Sequence, residues 1–314
     1  MQISQALQKG FQDLQNTGVS NPHLEAEILL LATIGQNRSR EWLLANTDYS
    51  ISDETVKQFN SFLKRRKKFE PIAFITNRKQ FYGYDFYVDN RVLIPRPESE
   101  ILVEKSIGII QKPYLLPTTY YLLELGTGSG CIIISIIKEL QKIRINRDRD
   151  LFIKKFQFTA TDISQNALNV ALKNAKKHDI DKLISFVQSD LFEQLQDRTD
   201  DPPGRLYNLI IANLPYVPSY WIQDGPTEYG LVHEPKISMD GGPEGMDIYE
   251  RFFKEVPKYL APDGIILIEC EDDQIDKILC ILKDLNYNFS HQIFKDYNNL
   301  QRAIQVDNIS SSGA

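Results

Sequence analysis

Apolar residues recur every three to four positions through the first part of the chain. Ile3, Leu7, Phe11 and Leu14 come first, followed by Leu24 to Thr33 and Asp53 to Lys68, the spacing of amphipathic helices. Turn signals at Asn21-Pro22 and Gly35-Gln36-Asn37 separate them. Residues 1–75 are therefore expected to form a small helical domain, one with no residue constellation able to do chemistry. Its end, Lys64 to Lys68, is basic and is read as a solvated helix terminus favoured by the macrodipole. From Gln80 the period changes to alternating aromatic and polar positions, Phe81 to Val88, then Asp89-Asn90, then Arg91 to Pro95. Two short strands around that turn predict a β-hairpin within a linking segment, residues 76–97. Pro97 then opens a helix, with Glu98 and Glu100 where a helix N-terminus favours acids.

Beyond this point short apolar runs alternate with helical patterns. Strands are expected at Tyr121–Leu125, Phe156–Thr161, Ile184–Gln188, Tyr207–Ala212 and Gly264–Glu269. Helices are expected at Cys131–Leu140, Ser164–Lys177, Met246–Tyr259 and Asp273–Leu285. Such alternation predicts an α/β fold on a mostly parallel sheet, here residues 98–314. Strands at Tyr287–Phe294 and Leu300–Val306 close it as a terminal hairpin. Two polar stretches, Lys142–Lys154 and Gln194–Gly204, read as surface insertions, and Asn308–Ala314 as a disordered tail.

With 314 residues the chain suits two domains. A formal charge of −6 argues against holding nucleic acid by bulk electrostatics. Cys131, Cys270 and Cys280 lack metal-type spacing, and their odd count points to a reducing compartment without disulfides. His23, His178, His233 and His291 are scattered, which predicts surface or capping roles and neither a zinc site nor a His-based triad. No apolar run is long enough to span a bilayer and the N-terminus carries no signal-peptide pattern. The expected setting is the cytoplasm, or the stroma of a genome-bearing organelle.

Candidate chemistry sits after the strands. Tyr121 to Leu125 runs into Gly126-Thr127-Gly128-Ser129-Gly130 at the start of an apolar helix, a turn that lets a nucleotide-like cofactor approach the backbone. Glu124, just before it, would oppose a pyrophosphate but suit the cationic amino group of S-adenosylmethionine. Asp162 stands where an acid accepts hydrogen bonds from both hydroxyls of a ribose. Asp190 is placed to hold an adenine amino group and Leu191 to cover the ring. The run Ile210 to Ala212 breaks into Asn213-Leu214-Pro215-Tyr216, a strand that must leave the sheet at the proline. One backbone carbonyl, the Asn213 amide and the Tyr216 ring together read as a methyl-acceptor site for a planar amide or amine. The paired glycines in Asp240 to Gly245 indicate a tight turn nearby.

Taken together, the chain resembles the PrmC/HemK family, which methylates the glutamine of the Gly-Gly-Gln loop in peptide chain release factors. The resemblance covers nearly the whole chain. It rests on Arg65-Arg66 with Glu70-Pro71, Arg96-Pro97-Glu98-Ser99-Glu100, Gly126 to Gly130, Asp162, Asp190, Asn213 to Tyr216, Glu234-Pro235 and Asp240-Gly241-Gly242 through Gly245. It implies a Rossmann-like class I methyltransferase domain with a mostly parallel seven-stranded sheet, and an N-terminal helical domain that binds the substrate. It further implies S-adenosylmethionine contacts from Gly126 to Gly130, Asp162, Leu191 and Asn213, and glutamine contacts from Asn213 to Tyr216. The implied partner is a release factor, with no nucleic acid or membrane required and the enzyme monomeric. The chain departs from the family pattern at Leu214 (usually proline) and at Cys270 and Asn299 (usually glycine).

Asn-Leu-Pro-Tyr is also the form found in enzymes that dimethylate adenine in ribosomal RNA. An adenine-N6 methyltransferase of RNA or DNA is therefore one alternative, and a glutamine methyltransferase of a ribosomal protein another. The acidic chain, the helical N-terminal part and Pro97-Glu98-Ser99-Glu100 favour the release factor. The expected mechanism is direct in-line transfer to the amide nitrogen, with Asn213 and the Leu214 carbonyl accepting its two N–H groups.

Overall fold

The computed structural model describes residues 1–35, 38–111, 119–144, 155–195, 205–224, 231–285 and 288–308. The chain forms two units: Met1–Arg78 with Pro226–Glu234, and Lys79–Gly225 with Pro235–Ala314. The two stretches expected to be insertions lie mostly outside the described residues, as do the tail beyond Asn308, Gln36-Asn37 and part of the aromatic loop after Pro218.

The first unit is helical, as its periodicity predicts: α1 (Ile3–Gln15), α2 (Pro22–Ile34), α3 (Arg40–Ala45), α4 (Asp53–Arg66) and α5 (Ile72–Thr76). Ile3, Leu14, Leu29, Leu30, Phe59 and Leu63 share one core. α3 and α5 are too short to show a period and were not expected from the pattern. The basic run is not a merely solvated terminus. Arg66 grips Glu25 through Nε (2.6 Å) and Nη2 (2.9 Å), and Arg65 grips Glu70 while donating to the Phe74 and Ile75 carbonyls. Two-pronged guanidinium–carboxylate contacts of this kind fix geometry, so these arginines tie α4 to α2 and to the α5 segment.

The second unit opens with a hairpin of β1 (Lys79–Phe81) and β2 (Tyr84–Phe86). It turns at Tyr82-Gly83, with φ of 49° and 76°, and not at Asp89-Asn90 as the alternation predicts. Two positive φ values make the tight turn whose twist matches a two-residue hairpin, and Glu100 Oε1 accepts the Tyr82 N–H at 2.7 Å. Arg91 to Pro95 is irregular instead of a strand.

Among the described residues the main sheet has seven strands. They are β3 (Tyr120–Leu125), β4 (Phe156–Asp162), β5 (Ile184–Gln188), β6 (Tyr207–Ala212), β7 (Leu260–Glu269), β8 (Phe289–Lys295) and β9 (Gln301–Asn308), in the order β5-β4-β3-β6-β7-β9-β8. The first five run parallel, and β9 pairs antiparallel with both β7 and β8, the terminal hairpin expected.

Period-two alternation sorts the strands' side chains into two cores. Leu122, Leu209, Ile211, Ile265 and Leu267 pack on one face with Phe81, Phe86 and the helices α6 (Glu100–Ile110) and α7 (Cys131–Arg144). Leu123, Leu125, Ile210, Ile266 and Ile268 pack on the other, with α10 (Asp247–Glu255) and α11 (Ile275–Asp284). Between these in the chain come α8 (Gln165–Lys177), capped by the Ser164 hydroxyl on Ala167 N at 3.2 Å, and the short α9 (Ser219–Asp224). The order turns outward in both directions from β3 and β6. The C-terminal ends of those two strands therefore form the crevice where open parallel sheets bind ligands.

Candidate active site

A cavity occupies that crevice. Gly126, Gly128, Asp162, Asp190, Leu191, Asn213, Leu214 and Pro215 all line it, so the sheet brings together residues that are spread over ninety positions of sequence. Glu124, Thr127, Ser129, Gly130 and Tyr216 are not among its lining residues.

The glycine turn is held from below. Thr127 N donates to the Thr161 carbonyl (2.8 Å), and Asp162 accepts Gly128 N on Oδ2 and Ser164 N on Oδ1, both at 2.9 Å. Asp162 thus couples the glycine turn to the start of α8, with burial pushing its carboxyl up against those two N–H groups. A Cβ on Gly128 would meet nothing within 4 Å, so its backbone lies open. Asn174, fully buried in α8, donates to the Ser129 and Tyr87 carbonyls and accepts Tyr87 N. It thereby joins the glycine turn to the segment that supplies Arg91, Val92 and Leu93 to the cavity.

Glu124 is 1% exposed. Its Oε2 accepts the Thr127 hydroxyl at 2.5 Å, and Oε1 has no hydrogen-bond partner among the described residues. Burial, the dominant cause, pushes its carboxyl up to about 8 against the pull of Thr127 and the Ile133 N–H. Because this folded-state value lies above the ordinary one, the group's contribution to stability is full below about pH 4.5 and is lost as pH rises through about 8. Glu124→Gln keeps the acceptor for Thr127 and cannot ionise. We expect it to remove, at pH 9, a destabilisation on the order of a few kcal/mol, measured as the difference between denaturant unfolding at pH 6 and at pH 9. Equal pH dependence in variant and wild type would show that Glu124 is not responsible.

Asp190 carries an ion pair with Arg251 (2.8 Å), a cavity residue the sequence did not single out. Arg91 is likewise paired with Asp89 at 2.6 Å. Both of these arginines therefore bring their own counter-charge.

Asn213 stands immediately after β6, and its Nδ2 donates to Ser99 Oγ at 3.0 Å. Leu214, where the family pattern has proline, buries its side chain to 4% exposure in the second core, so packing restrains this position in place of a ring. Tyr216 donates to Glu269 Oε1 (3.2 Å), and its carbonyl accepts Gln274 Nε2 (2.9 Å). The Asp240 to Gly245 segment lies directly against this loop. Val217 N donates to the Met239 carbonyl, Gly241 N to the Val217 carbonyl and Ser219 N to the Gly242 carbonyl. Ser99 and Glu269, which bond Asn213 and Tyr216, are not singled out by the sequence. Ser99 was visible only as a letter in a motif, and Glu269 only as the end of a strand.

Residues 119–308 match a family profile described as a methyltransferase domain, and residues 5–76 one described as the PrmC N-terminal domain. By the first of these matches, which spans more than half of the chain, the chain belongs to the methyltransferase domain family. The release factor glutamine methyltransferase of Koribacter versatilis is 30% identical over 290 residues, covering 90% of this chain and 91% of the relative. The chain belongs to that family. A bifunctional methyltransferase of Rickettsia typhi is 32% identical over 98% of this chain, which spans 58% of that relative's length. The solved hMettl16 catalytic domain, in complex with a MAT2A 3′UTR hairpin, shares the fold with a TM-score of 0.52 at 14% identity, over 84% of each chain.

The cavity's residues fit S-adenosylmethionine. An open glycine backbone, a buried acid at the end of β4 and a second acid and a leucine after β5 suit an amino-acid and nucleoside portion. Among the described residues the lining arginines are Arg91 and Arg251, both already paired with carboxylates, and these residues form no cationic cradle for a pyrophosphate.

Proposed function

We propose that this chain methylates the side-chain amide nitrogen of the glutamine in the Gly-Gly-Gln motif of a peptide chain release factor. The observation that carries the reading is Asn213: its Nδ2 is held by Ser99, and it lines the cavity beside Gly126 and Gly128. S-adenosylmethionine, when bound, supplies a methyl group on a sulfonium centre, and Gly126, Gly128, Asp162, Asp190 and Leu191 would hold it. An amide nitrogen is a poor nucleophile because its lone pair is delocalised into the carbonyl. Acceptance of its two N–H groups by Asn213 Oδ1 and the Leu214 carbonyl turns that lone pair toward the cavity. Such orientation supplies roughly 7–11 kcal/mol of a barrier when reacting atoms are held about 3–3.5 Å apart. Tyr216, anchored on Glu269, stiffens the far end of the loop.

The helical residues 1–75 would recognise the body of the substrate protein. The chain would act as a monomer in the cytoplasm or an organelle stroma, without nucleic acid. The reading is tested by mass spectrometry of a release factor incubated with the chain and isotopically labelled S-adenosylmethionine. One labelled methyl on the Gly-Gly-Gln glutamine is expected, and label on an adenine-containing RNA but not on the protein would refute it.

Asp162→Ala is expected to weaken S-adenosylmethionine binding by about 1.5–3 kcal/mol, because it removes a charged acceptor and releases Gly128 N and Ser164 N. Calorimetric titration checks this, and unchanged affinity would remove Asp162 from the binding set.

A further inference from the structure

We infer that Ser99 and Glu269 are positioning residues that fix which way round the Asn213 carboxamide is held, and hence which of its two groups meets the substrate nitrogen. The inference rests on the reading of Asn213 as the group that orients a substrate amide. Only the oxygen of Asn213 can accept an N–H; its NH₂ group would meet the substrate's hydrogens donor to donor.

In the structure Nδ2 faces Ser99 Oγ at 3.0 Å. Ser99 is 3% exposed and ends the single turn Pro97–Ser99 before α6. A hydroxyl both donates and accepts, so Ser99 alone leaves the orientation undecided. Glu269 decides it. This side chain, 1% exposed at the end of β7, accepts the Tyr216 hydroxyl on Oε1 at 3.2 Å and is stabilised as a carboxylate by the Ser99 hydroxyl, while its Oε2 has no hydrogen-bond partner among the described residues. An ionised carboxylate only accepts. Its unpartnered Oε2 is an acceptor open to the Ser99 hydrogen, and Ser99 then keeps only lone pairs for Asn213. Asn213 must then donate to Ser99, and its oxygen is left for the substrate. Ser99 thus holds Asn213 at one end of the loop, and Glu269 holds Tyr216 at the other.

Burial pushes the Glu269 carboxyl up to about 7, opposed by the Ser99 and Tyr216 hydroxyls and by Arg302 on β9, and reinforced by Glu98. The other groups around it are Tyr249, whose hydroxyl donates to the Glu269 backbone carbonyl, and the thiols of Cys131 and Cys270, both pushed up by burial. Once protonated, Glu269 can donate to Ser99, and the orientation of Asn213 is no longer imposed. The turnover number therefore falls as pH drops through about 7.

The test uses the full chain. Ser99→Ala and Glu269→Gln are expected to lower kcat for release factor methylation about tenfold or more, with KM and cofactor affinity changed much less. Ser99→Thr, which keeps the hydroxyl, restores kcat, and Glu269→Gln loses the acid limb of the pH profile. A second readout needs no substrate: the side-chain NH₂ signals of Asn213 in a proton–nitrogen spectrum, identified by their loss in Asn213→Ala. Ser99→Ala should shift them and speed their solvent exchange, and Ser99→Thr should leave them near the wild-type position. Wild-type kcat in Ser99→Ala, or unchanged Asn213 signals in it, overturns the inference. If the wild-type chain methylates no release factor, the substrate reading fails, and the Asn213 signals alone decide this one.

Discussion

Asn213→Ala is expected to lower the turnover number by on the order of a hundredfold, the scale seen when one preorganised polar group is removed from a reacting centre, while affinity for S-adenosylmethionine changes little. The substitution keeps β6, and it keeps Pro215 and the backbone bonds from Val217 to Met239 and from Gly241 to Val217, so the loop's course survives. Leu214, buried in the second core, continues to hold the neighbouring carbonyl. What is lost is one acceptor whose interaction is stronger when the amide is turned for reaction than when it is merely bound. The loss should therefore appear in kcat more than in KM. Single-turnover methylation of a release factor, with cofactor affinity measured in parallel, separates the two. A fully active Asn213→Ala would refute the orienting role and with it the mechanism.

Gly245→Ala is expected to cost about 2–5 kcal/mol of stability, the sum of a left-handed backbone penalty and of overpacking, and to abolish methylation. Gly245 sits at φ +74°, and a Cβ there would stand 2.1 Å from the Tyr216 carbonyl oxygen and 2.8 Å from Gln274 Nε2. Those atoms are hydrogen-bonded to each other at 2.9 Å, so the methyl group must part them and push Tyr216 off its anchor on Glu269. Gly18→Ala is the control. Its φ is +83° with nothing within 4 Å of the added carbon, so only the backbone penalty of about 1–2 kcal/mol applies. Denaturant unfolding of both variants, with methylation assayed where each remains folded, distinguishes strain from collision. Equal costs for the two would mean that the segment yields without displacing Tyr216.

Local pattern was enough to read most of the second unit. β5 and β6 lie where their apolar runs predict, and α8 begins after the serine expected at its start, because a buried strand or a capped helix writes its period and its boundaries into adjacent residues. The left-handed Asn299, at φ +63°, also makes sense of a departure seen in the sequence: asparagine is among the few residues besides glycine that tolerate that conformation. The hairpin was misplaced because aromatic and polar residues alternate on both sides of Tyr82-Gly83, so periodicity marks no turn between them. Only the positive φ values and the Glu100 contact place it.

By itself, then, the sequence determined the layered α/β architecture, the glycine turn after β3, the acids at the end of β4 and after β5 and the Asn213 to Tyr216 loop, because each is encoded within a few neighbouring residues. Tertiary structure alone decided which side chains are spent on the protein and which face the cavity. Glu124 turns into the core under Thr127, Asp190 is paired with Arg251, and Ser99 reaches Asn213 from 114 positions away. The physical reason is that a hydrogen bond or a desolvated carboxylate depends on distances of a few ångströms between residues far apart in the chain, and composition, charge and periodicity carry no record of those distances.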